Sequence, residues 1–103
     1  MKAMSQNFSV HQEDISTKAA GTAIIAQPCR VFVITVSHEG AGDAVVSLSN
    51  SSSSYSNSAR VEKVVLTDEN KTHTITYPTG KYLSAGLSAT CNLSSIDISV
   101  TYE

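Results

Sequence analysis

Residues 82–102 read YLSAGLSATCNLSSIDISVTY. In the first half Leu83, Ala85, Leu87, Ala89, Cys91 and Leu93 alternate with Tyr82, Ser84, Gly86, Ser88, Thr90 and Asn92. In the second half Ile96, Ile98, Val100 and Tyr102 alternate with Ser95, Asp97, Ser99 and Thr101. Side chains on a strand change face at each residue, so this pattern predicts two strands, 82–93 and 95–103. They belong to a sheet with one dry face and one wet or partner-covered face.

Upstream, the pattern continues in shorter pieces. Residues 29–37 are the most hydrophobic run, apolar on both faces in the middle, which predicts a central strand. Pro28 lacks the donor a ladder needs and marks its start or an edge. Gly40, Gly42 and Asp43 predict a turn, and 44–48 a strand with Val46 and Leu48 on one face. Residues 61–67 and 72–77 read as strands joined by the polar 68–71, with Pro78-Thr79-Gly80 as a further turn. The serine-rich 50–59, with Tyr55 in its centre, has too little apolar area to order itself and is expected to be an exposed loop. Residues 22–27 form a short apolar segment, and no helical period appears anywhere. Recurring turn signals at short spacing predict an all-β fold. The expected form is a compact antiparallel β-sandwich, jelly-roll-like, with seven or eight strands and little or no helix. The sandwich domain spans 18–103, preceded by 1–17 as an N-terminal arm or edge strand.

Composition narrows the function. The chain has 103 residues, enough for one thin two-layer core without metals or disulfides. Charged residues are 16% of it, against about 25% in ordinary soluble proteins. Ser and Thr together number 27. A surface of hydroxyls suits strands and turns, and also suits a face lying against other protein copies, where unpaired charges are costly. Net charge is −2 and the seven basic residues are scattered, so contact with nucleic acid is not expected. The longest apolar run, 31–36, is far short of the ~20 residues of a membrane helix. The opening MKAMSQN has no apolar block after Lys2, so no secretory signal is expected and the chain is expected to begin in a cytoplasm. In that reducing compartment Cys29 and Cys91 are expected as buried thiols, although one bridge between them is open from sequence.

Chemistry-bearing patterns are sparse. Gly40 and Gly42 have no following helix or Lys-Ser/Thr to complete a phosphate loop. His11, His38 and His73 lie on separate segments without zinc-ligand spacing, and His38-Glu39 or His11 with Glu13 and Asp14 read as ordinary polar positions. No Gly-x-Ser-x-Gly elbow exists. No catalytic residue, cofactor or metal is therefore assigned, and the chain is not expected to be an enzyme. The four Asn-x-Ser/Thr sequons, beginning at Asn7, Asn50, Asn70 and Asn92, are expected by chance in a chain this rich in Ser and Thr.

Five stretches share one further likeness: PCRVFVITV at 28–36, GAGDAVVSLSN at 40–50, YPTGKY at 77–82, AGL at 85–87 and IDISVTY at 96–102. Together they cover most of the chain from about residue 18 to residue 102. Their arrangement resembles a family of small β-sandwich virion proteins of tailed bacteriophages. Lys81 stands where that family has a small linker, and the serine-rich loop is longer than usual. The resemblance implies a non-enzymatic structural protein of a phage particle, foremost a capsid decoration (cement) subunit that binds the head shell and stabilises it. The implied partners are the major capsid protein or another virion protein, and further copies of the chain. A trimer on a capsid three-fold is among the forms that symmetry allows. The implied location is the virion, assembled in the host cytoplasm, without choice between head, neck and tail. The alternative is a carbohydrate- or receptor-binding accessory module on a tail or head fibre. As partner-binding residues, Phe8 and Val10 are anchors if 1–17 orders on a partner, the other reading being that this segment pairs as an edge strand. Tyr55 is the candidate contact in the serine loop.

Overall fold

The computed structural model describes residues 9–15, 22–93 and 96–103, with 9–15 and Thr22 described by their backbone alone. Eight strands follow in chain order: β1 (Ser9–Ile15), β2 (Thr22–Ile25), β3 (Cys29–His38), β4 (Ala44–Ser49), β5 (Arg60–Leu66), β6 (Thr72–Leu83), β7 (Leu87–Cys91) and β8 (Ile96–Tyr102). One 3-10 turn at Asn57–Ala59 precedes β5. The strands form two four-stranded sheets, β1-β8-β3-β6 and β2-β7-β4-β5. The paired strands are antiparallel throughout. This is the all-β sandwich that alternation predicts, in the strand order of a jelly roll.

The order has a simple physical origin. Strands β1 and β8, β2 and β7, β3 and β6, and β4 and β5 pair as the rungs of one long antiparallel ribbon, whose tip is the 50–59 loop. Folding that ribbon over brings β3 against β8 and β4 against β7, and these two contacts close the sheets. An open ribbon exposes its apolar face to water; the folded one packs it against itself. Val31, Val36, Val46, Leu48, Leu87, Ile96, Ile98 and Val100 consequently retain no exposure at all. Burying an aliphatic side chain of this kind contributes about 1.5–3 kcal/mol.

Strand β3 is central, as its composition predicts, and a bulge explains why both its faces look apolar. The register slips between Val31 and Val33 on both neighbours. Before the slip Cys29 and Val31 face the core; after it Ile34, Val36 and His38 do. Phe32 is left on the outer side, 5% exposed, beside Arg30 and Gly80. Gly80 has φ +83°, and a Cβ there would lie 2.5 Å from Arg30 Cγ and 2.9 Å from Phe32 Cε1. Only a residue without a side chain lets both groups pack down.

Three expectations are corrected. Residues 82–93 are not one strand: Leu83 ends β6 in the first sheet, and Leu87 begins β7 in the second. The crossing at 84–86 turns on Gly86, whose φ is +149° and whose added Cβ would sit 2.2 Å from the Ile25 carbonyl oxygen. Second, Pro78-Thr79-Gly80 does not end a strand. Thr76 pairs with Val33 and Lys81 with Val31, so 77–80 bulge out of β6 and the strand resumes. Pro78 is tolerated there because β6 is an edge strand. Third, the supposedly wet face of β7 carries Ser88, which is fully buried.

Both cysteines are buried free thiols, Cys29 in the first sheet and Cys91 in the second. Burial pushes the Cys29 thiol up. At the end of β3 the inward series finishes on His38, 3% exposed, with no hydrogen-bond partner for Nδ1. On the β5–β6 side of the sandwich Tyr77 packs against the core, and its hydroxyl donates to Glu62 Oε2. Burial first, then the hydrogen bond to Glu62 and that carboxylate's charge, hold the Tyr77 hydroxyl well above the usual phenol range.

Tyr77 therefore stays protonated at a pH where an unfolded tyrosine, ionising near pH ~10, has lost its proton. Its contribution is fully present below that value and declines as pH rises beyond it, because the folded state then holds the extra proton. Tyr77→Phe is expected to lower stability by about 1–3 kcal/mol at neutral pH, since it leaves part-buried Glu62 without its donor. Urea titrations across alkaline pH should show the gap between the two proteins narrowing above about pH 10.

Candidate functional site

Two surfaces stand out, and each follows from the strand register. The first is the outer face of the β1-β8-β3-β6 sheet. Side chains directly opposite in an antiparallel pair share a face. Three rows are thereby fixed across β8, β3 and β6: Thr101-Val33-Thr76, Ser99-Thr35-Thr74 and Asp97-Ser37-Thr72. Seven of these nine side chains are hydroxyls, one is aliphatic and one is a carboxylate. The β6 threonines are exposed and the β3 and β8 positions half-buried. Thr35 and Thr74 hydroxyls bond to each other at 3.3 Å across the β3–β6 pair. The next position along β3 beyond the bulge holds Arg30, whose guanidinium carbon lies 5.9 Å from the ring centroid of Tyr82, its cross-strand partner. Tyr82 is 58% exposed.

The second surface is the sandwich end where the β2–β3, β4–β5 and β6–β7 connections meet. Residues 26–28, 50–59 and 84–86 there contain no charged side chain. The serine stretch is an exposed loop, as expected, and hydrogen bonds hold its base in place of the apolar contacts it lacks. Asn50 is the hub: its Oδ1 accepts the N–H groups of Ala85 at 2.9 Å and Gly86 at 3.3 Å, and its Nδ2 donates to Ser84 Oγ. Its own N–H donates to the Ala59 carbonyl, closing the base of the loop. A bulge between Leu48 and Ser49 turns Ser49 under the loop, where its hydroxyl pairs with Ser88 at 2.9 Å and accepts the Ser56 N–H. Exposed serines 52–54 lie at the tip.

The residues singled out from sequence fall as follows. Tyr55 is half-buried in the loop, and its hydroxyl donates to Asn57 Oδ1 at 3.1 Å. Val10 lies in β1 with its backbone opposite Thr101, so this segment is an edge strand of the first sheet. Its side chain and the whole of Phe8 lie outside the described residues. Val10 thus lies in a strand of the first sheet, and Tyr55 in the connection between β4 and β5 of the second. His38 and Glu39, considered for a metal, part company: His38 points into the core and Glu39 is exposed. Among the described residues no three His, Cys, Asp or Glu side chains converge on a metal position. The hydroxyl rows, the Arg30–Tyr82 pair and the Asn50 hub were missed from sequence. Their residues sit at polar strand positions, but only the register tells which strands lie side by side.

No family model matches the chain, and neither a curated protein nor a solved structure shows significant similarity to it.

Asn50→Ala removes the acceptor of two backbone N–H groups at once. Leaving such donors unpaired costs about 1–3 kcal/mol. We expect faster amide hydrogen exchange at Ala85 and Gly86 and a lower unfolding midpoint, while Ser53→Ala at the exposed tip changes neither.

Proposed function

We propose that this chain is a non-enzymatic structural protein of a phage particle, a decoration subunit that docks on the head shell and stabilises it. The observation that carries the reading is the outer face of the first sheet. Covering a charge requires an exact partner, whereas covering a hydroxyl requires only a donor or acceptor nearby. Nine side chains with a single carboxylate among them can be buried against a protein lattice at low desolvation cost. Repeated on many copies, a modest contact of this kind gives firm overall attachment. The jelly-roll strand order agrees with the reading, since viral capsid proteins use it, but lectins and cupins share it and fold alone does not choose.

A second reading has its own observation. The loop segments 26–28, 50–59 and 84–86 carry no charged side chain of their own, and with Tyr55 and exposed serines they offer the hydrogen bonds that suit a neutral glycan. On that reading the chain is a carbohydrate- or receptor-binding accessory of a tail or head fibre.

The test uses particles assembled with the wild-type chain or with Thr74→Lys/Ser99→Lys, which sets two cations in the hydroxyl rows without touching the core. Wild-type chain should remain on gradient-purified particles and raise the temperature at which heads open. The variant, with an unchanged unfolding midpoint in isolation, should be lost from them. Absence of the wild-type chain from particles by mass spectrometry, or normal attachment of the variant, would contradict the proposal. Glycan-array binding abolished by Tyr55→Ala would favour the second reading.

A further inference from the structure

The charges of this chain are sorted along the strand axis. Among the described residues, the end reached by the β3–β4 and β5–β6 connections holds Glu39, Asp43, Asp68 and Glu69, with Asp97 at the start of β8, against one lysine or arginine, Lys71. Lys71 is already engaged, donating from Nζ to the Gly40 carbonyl, and Asp68 accepts the Gly42 N–H. Asp43 and Glu69 are exposed. The register also puts Asp14 of β1 opposite Asp97, at the same end. At the opposite end stand Arg30, Arg60 and Lys81 against Glu62 and Glu103, with Lys63 at mid-strand. Of those two carboxylates, Glu62 is held by the Tyr77 hydroxyl. Glu103 is beside Arg30, joined to it by a pair of backbone hydrogen bonds.

The cationic end also has an anchor. Tyr82 is one of two large hydrophobic residues exposed among those described, and it carries the Arg30 guanidinium over its ring. Lys81, the preceding residue on the same edge strand, has its Nζ 5.9 Å from the Tyr77 ring centroid. Tyrosine and arginine are both enriched where protein surfaces meet, tyrosine because its ring brings large contact area with few rotatable bonds, arginine because its planar guanidinium makes several hydrogen bonds at once. Gly80 holds this corner in place, since its missing side chain lets the Arg30 stem lie flat across β6.

We infer that the Arg30–Tyr82–Lys81 corner of one copy docks on the acidic loop end of a second copy, through Asp43 and Glu69. The occupant is set by charge complementarity within the chain itself: one end offers carboxylates in excess, the other cations and an exposed aromatic ring. Such a contact is head-to-tail, so it leaves a free acidic end and a free cationic corner on each pair and continues into a ring or an open chain. It is independent of whether the chain decorates a particle, and it uses neither the threonine rows nor Tyr55.

Sedimentation velocity of the full chain, over a range of concentrations, tests it by charge exchange. Wild type should self-associate at about 0.03 M salt and dissociate at about 0.5 M, where screening shortens the reach of charge to a few ångströms. Arg30→Glu/Lys81→Glu makes both contacting pairs acidic, and Asp43→Lys/Glu69→Lys makes both contacting pairs basic. Each variant alone should associate at least about ten-fold more weakly than wild type, because like charges then meet. An equimolar mixture of the two should recover association. Tyr82→Ala, with its charges intact, should weaken wild-type association as well. Circular dichroism confirms that each variant is folded, and Asp43→Lys/Glu69→Lys changes only exposed loop positions. A monomeric wild type at low salt, association of either variant equal to wild type, or no recovery on mixing overturns the inference.

Discussion

The contact between β3 and β8 is the constraint from which the molecule follows. Along the ribbon, β3 has one partner, β6, and without a second its other edge would face water with unpaired N–H and C=O groups. Pairing from Val31–Tyr102 through His38–Ile96 removes that edge and seats Ile98 and Val100 beside Val36 and Ile34. The matching contact of β4 with β7 does the same in the second sheet, placing Leu48 opposite Ala89. Once both contacts exist the two sheets must face each other, because the same chain segments run between them. The loops then gather at the two ends, and each outer face acquires a fixed set of neighbours. The threonine rows and the Arg30–Tyr82 pair are consequences of this closure.

Much of the architecture was legible in the sequence, for a physical reason. Burial imposes a period of two on each strand, and the alternating Ile96, Ile98 and Val100 show it plainly. What alternation cannot show is where the chain changes sheets. Leu83 faces the core from one sheet and Leu87 from the other, both inward, so the pattern runs unbroken through a crossing. Bulges mislead in the opposite sense: the slip at Phe32 shifts the inward phase from 29 and 31 to 34, 36 and 38, so a strand that keeps one face to the core looks apolar on both. The serine stretch is the exposed loop that its composition predicts, but the Asn50 amide and the Ser49–Ser88 pair that hold it were not legible, because hydrogen-bond partners distant in sequence leave no periodic trace.

The same limit governs the functional surfaces. Thr35, Thr74 and Ser99 are ordinary polar strand positions in sequence, and they become a hydroxyl face only when β6, β3 and β8 lie side by side. Tyr55 was visible in advance because it is an aromatic residue alone among serines. Tyr82 was placed on a wet face without its partner Arg30, 52 positions away in the chain. The resulting molecule separates its features by place: an apolar interior between the sheets, three hydroxyl-rich rows across β8, β3 and β6 on one outer face, and, among the described residues, carboxylates in excess at one end and lysine and arginine gathered at the other.

Cross-strand nuclear Overhauser effects in the folded chain address the ribbon closure most directly. The account predicts proximity of the backbone protons of Ile34 to those of both Ile75 and Val100, and of Leu48 to those of Ala89. Contacts pairing β3 with its sequence neighbour β4 as a simple hairpin, or β7 with β8, would contradict it.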